Sequence, residues 1–63
     1  MKTEIELKHI AEKIAQIEKE ILTTSDKNKL NHLEDKMIKL ISEHKLNVLD
    51  MIAIDEMVQD MLQ

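Results

Sequence analysis

The residues of this 63-residue chain that could do chemistry are three histidines, two adjacent carboxylate pairs and a few hydroxyls. His9, His32 and His44 include no His-x₃-His or His-Glu-x₂-His pair, the spacing that puts two imidazoles on one helical face around a metal. Glu34-Asp35 and Asp55-Glu56 are neighbours in sequence, and neighbours on a helix do not face one another. General acid–base catalysis also needs a sheltered cleft to set the two pKa values apart, which so short a chain is not expected to build. Thr3, Thr23, Thr24, Ser25 and Ser42 are the only hydroxyls, and there is no cysteine. The expectation is a protein that is not an enzyme, with no catalytic residue, no cofactor and no metal.

Length and composition narrow the fold. A chain below roughly 70–80 residues seldom gains more than about 3–5 kcal/mol from one core, and disulfides, metals or self-association usually supply the rest. Disulfides are excluded here. Glycine, proline and aromatic residues are absent as well, so tight hairpin turns between strands are disfavoured, whereas Glu, Lys, Leu, Ile, Met and Gln all favour helix. The fold class is all-α, one helical domain over 1–63. The opening Met1–Glu6 is charged and has no apolar core of a signal peptide, and no run of about 18 apolar residues exists to span a membrane. A cytoplasmic protein is expected.

Apolar spacing places the helices. Thr3 and Glu6 form a capping-box pair that starts a first helix, about 4–23. Its seam is Leu7, Ile10, Ile14, Ile17 and Ile21, with Ala11 and Ala15 beside it. Isoleucine at both seam positions favours three or four packed helices over two. Thr23 to Asn28 holds no apolar residue and several good N-caps, so the chain should turn at about 24–26.

A second, longer helix, about 27–62, then carries one unbroken heptad frame. Leu30, Met37, His44, Met51 and Val58 fall at position a, and Leu33, Leu40, Asn47, Ile54 and Met61 at d. His44 and Asn47 form its one polar layer, a register-setter of the kind buried polar residues supply in coiled coils. A competing reading takes Asn47 and Asp50 as a second capping box, makes Ser42–Lys45 a turn and detaches 48–62 as a third helix. The frame favours one continuous helix in a helical hairpin of unequal arms. Two such hairpins would self-associate, as a homodimer or higher, into a four-helix bundle.

That arrangement leaves residues 48–62 as an exposed arm without a partner in its own chain. The arm is rich in methionine, an adaptable side chain. It also holds the whole net charge of −4: the nine lysines and nine of the acids lie in 1–47 and cancel, while Asp50, Asp55, Glu56 and Asp60 stand unopposed. The expected contact residues are Leu49, Met51, Ile52, Ile54, Val58, Met61 and Leu62, with Asp50, Asp55 and Asp60 selecting a basic partner. The function expected is a small regulatory or adaptor protein acting by helix-mediated protein–protein interaction. A purely structural homo-oligomerisation module is the nearest alternative.

Two resemblances suggest other functions. The alternation of two helices is similar to that of Rop-like RNA-binding hairpins, though this chain has neither arginine nor aromatic residue for such a role, and nucleic acid is not the expected partner. Leu30-Asn31-His32-Leu33-Glu34-Asp35-Lys36-Met37-Ile38 resembles the second helix of the small aspartyl-phosphate phosphatases of two-component signalling, whose signature reads Ser-Gln-Glu-Leu-Asp. The resemblance implies Asp35 as the functional acid. Asn31-His32 stand in place of Ser-Gln, Glu and Leu are inverted, and the alternative alignment puts Ile38 at the acid position.

Overall fold

The computed structural model describes residues 2–63, and among these it is all-helical, with no strand. Helix α1 spans Glu4–Thr23, α2 spans Lys27–Glu43 and α3 spans Val48–Leu62. Each start has a local cause. The Thr3 hydroxyl accepts the Glu6 N–H at 3.2 Å and the Asp26 carboxylate accepts the Asn28 N–H at 3.0 Å, each satisfying a donor that the first helical turn leaves free. Helix α1 ends without glycine because its cap, Thr24, is extended rather than left-handed. The Thr24 N–H closes on the Ile21 carbonyl at 3.4 Å, and the Thr23 hydroxyl donates back to the Lys19 and Glu20 carbonyls.

The single long helix expected over 27–62 is two helices. Helix α2 stops at His44 in a Schellman motif: the Lys45 N–H donates to the Ser42 carbonyl at 3.2 Å and the Leu46 N–H to the Ile41 carbonyl at 3.4 Å. Lys45 takes the left-handed position, φ 50°, which glycine or asparagine more often fills. Asn47 and Asp50 then start α3 with a complete capping box. His44 and Asn47 are therefore not a polar layer in a seam. They are the C-cap of one helix and the N-cap of the next, and local capping has overridden a heptad frame that spans both.

Packing explains the break. Helix α1 packs against both others, over more of its length against α3 than against α2, while α2 and α3 do not pack backbone to backbone among the described residues. Ala11 is fully buried and Ala15 nearly so, and they join Ile10, Ile14, Ile54 and Val58 in one cluster. Two small side chains one turn apart let the α3 backbone approach α1 closely. The second partner that isoleucine at both seam positions of α1 calls for is thus supplied by its own chain. Residues 48–62 are not an unpartnered arm.

Around that cluster lie partly buried Leu7, Met37, Leu40, Leu46, Met57, Met61 and Leu62. Every buried side chain among the described residues is apolar. Between α2 and α3 a cavity of about 80 Å³ remains, lined by Ile14 and Glu18 of α1, Met37 and Ile41 of α2, and Met51, Ile54, Asp55 and Val58 of α3. The molecule measures 37 × 26 × 16 Å.

Candidate functional site

Helix α3 is apolar around most of its circumference, and folding it onto α1 sorts its residues into three sets. Ile54 and Val58, 2% and 1% exposed, are the most deeply enclosed large side chains. They are core and are not accessible to a partner. Met61 and Leu62 are half-buried at the edges of the α1 contact, and half-buried Met51 lines the cavity between α2 and α3. Leu49 and Ile52 remain exposed, at 76% and 53%, and they are joined by Val48 at 74%.

The acids divide in the same way. Asp50 is half-buried, and its carboxylate accepts the Asn47 N–H at 3.4 Å, so it is committed to starting the helix. Asp55, Glu56 and Asp60 are exposed. At 100° per residue, Val48, Leu49, Ile52, Asp55, Glu56, Gln59 and Asp60 share the outward side of α3. That side is apolar over its first two turns and acidic over the rest.

Two open grooves flank it. One, of about 530 Å³, runs from the α2–α3 corner along the start of α3 and is lined by Leu46, Asn47, Val48, Met51, Ile52, Asp55 and Glu56. The other, of about 480 Å³, lies where the first turns of α1 meet the end of α3, between Glu4, Ile5 and Lys8 on one side and Met57, Asp60 and Met61 on the other. Ile5 is itself exposed. The remaining large exposed apolar residues, Leu22 and Ile38, stand singly on α1 and α2.

Among the described residues no three His, Cys, Asp or Glu side chains are grouped to hold a metal. Asp35, with Asn31 and His32, is exposed on α2. No helix among the described residues is long and apolar enough to cross a membrane.

Val48 and Glu56 belong to the outward face although the heptad reading did not select them. Reckoned in the frame that puts Met51 at a, Val48, Leu49 and Ile52 occupy e, f and b, the positions that face solvent in a coiled coil. Large apolar side chains off the seam were the available signal. Comparison with known protein families, with curated proteins and with solved structures finds no match.

Proposed function

We propose that this chain is a small non-enzymatic regulatory or adaptor protein that works by helix-to-helix contact with other protein surfaces, self-association included. The observation that carries this reading is the outward side of α3, where Val48, Leu49 and Ile52 stand exposed, Val48 and Ile52 at the rim of a groove. Scattered surface leucines are ordinary, but a contiguous apolar patch bordered by charge marks a contact site.

Surface area supports it. The chain exposes 4998 Å², whereas a compact monomer of 7.4 kDa exposes about 4,200 Å². Its radius of gyration is 11.9 Å, against about 10.6 Å for a compact chain of this length. An extended surface of this kind supports a reading in which one face is covered by a partner. Self-association by this route replaces the four-helix bundle of two hairpins, because α3 already occupies the side of α1 that such a bundle would use.

The test is association itself. Sedimentation of the full chain and of a Leu49→Lys/Ile52→Lys variant should show assembly in the first and a monomer in the second, with equal helicity by circular dichroism. Equal sedimentation of the two would exclude this face.

A further inference from the structure

Resting on that reading, the geometry points to a second copy of this chain as the occupant of the α3 face, docked as an antiparallel two-fold pair of α3 helices. In a two-fold contact the same patch serves both subunits. With the axis passing beside position 50, Val48 of each copy lies opposite Ile52 of the other, and Leu49 sits near the axis. The three exposed apolar residues then cover their counterparts.

Charge selects this direction. The acids Asp55, Glu56 and Asp60 lie on the same outward side as the apolar patch but toward the C-terminal end. Pairing two α3 helices in parallel would set acid against acid along their whole second half, with no base on either helix to relieve it. Antiparallel pairing carries the acids of each copy past the start of the other's α3. There the exposed Lys45 stands at the corner, together with the positive end of the α3 dipole. In this register Asp55 and Glu56 pass the N-terminal end of the partner's α3, beside the corner that carries Lys45. Lys45 is the last base in the sequence, and the left-handed corner places it where the acidic half of a second copy arrives.

The small core supplies the motive, since chains of this length commonly need association to be stable.

Charge exchange in the full chain tests the arrangement. Sedimentation equilibrium at concentrations up to millimolar should give a dimer for the native sequence and a monomer of unchanged helicity for Ile52→Lys. Lys45→Glu alone, and Asp55→Lys/Glu56→Lys alone, should each weaken dimerisation roughly tenfold by placing like charges together. An equimolar mixture of those two variants should recover native affinity as a heterodimer, because both corners are then oppositely charged. A native dimer whose two variants fail to rescue one another would overturn the antiparallel register while leaving self-association intact. A monomer at millimolar concentration would overturn the self-association reading as well.

Discussion

Asn47 and Asp50 cap one another: the Asn47 side-chain carbonyl accepts the Asp50 N–H at 2.8 Å, and the Asp50 carboxylate accepts the Asn47 N–H at 3.4 Å. This reciprocal pair makes α3 a separate helix, and it satisfies two donors that a helix start would otherwise leave to water. Asn47→Ala should cost about 1 kcal/mol, a fall in melting temperature of about 4–8 °C for a domain of this size. Asn47→Ser should restore most of the loss, because serine caps as well as asparagine. Thermal melts followed by circular dichroism decide it.

Lys45 makes a different prediction, in the direction of greater stability. A side chain in the left-handed region crowds its own carbonyl, and glycine removes that crowding at a smaller entropic cost. Lys45→Gly should raise stability by about 0.5–1 kcal/mol. The comparison belongs in the Ile52→Lys background, where the charge of Lys45 meets no second copy, and is read from urea unfolding midpoints. A loss of stability there would show that the Lys45 side chain makes a contact worth more than the strain.

Ile54 and Val48 are six residues apart on one helix and should respond oppositely to truncation. Ile54 is sealed against α1, so Ile54→Ala should cost about 2–5 kcal/mol, enough to unfold a domain this small. Val48→Ala removes a side chain that is 74% exposed and should stay within about 0.5 kcal/mol for the isolated chain. Urea titrations at low concentration separate the two.

Ala11 sets the distance between α1 and α3. Ala11→Leu adds three carbons at a fully buried position and should cost about 1–3 kcal/mol by forcing the helices apart. The same change at exposed Glu12 should be nearly neutral. Resonances of Ile54 and Val58 methyl groups should shift strongly in the first variant and little in the second.

The all-helical class was legible because composition excludes its competitors, and the starts at Thr3 and Asp26 because capping is decided within three residues. The break at 44–47 was harder to read. Two local signals, the Asn47–Asp50 box and the polar stretch Ser42–Lys45, stand against a heptad frame that runs through both helices, and such a frame does not mark where one helix ends and the next begins. A heptad pattern reports only that a residue's side of the helix is apolar, and α3 is apolar on nearly every side. Which side is covered depends on Ala11 and Ala15, some forty residues away, and no local pattern in α3 records that. The contact residues expected from α3 therefore include core side chains, Ile54 and Val58, beside exposed ones, Leu49 and Ile52.

Among the described residues α1 is the helix against which both others pack backbone to backbone, while α2 and α3 face one another across a small cavity. Cooperativity in this molecule therefore runs through one element. A disturbance on α3 reaches α2 by way of α1, so amide hydrogens in the middle of α1 should exchange only when the whole domain opens, while the corner at Lys45 exchanges by local fluctuation. The three helices are not separable parts: removing either outer one uncovers the buried side of α1 and, with it, the ground on which the other stands.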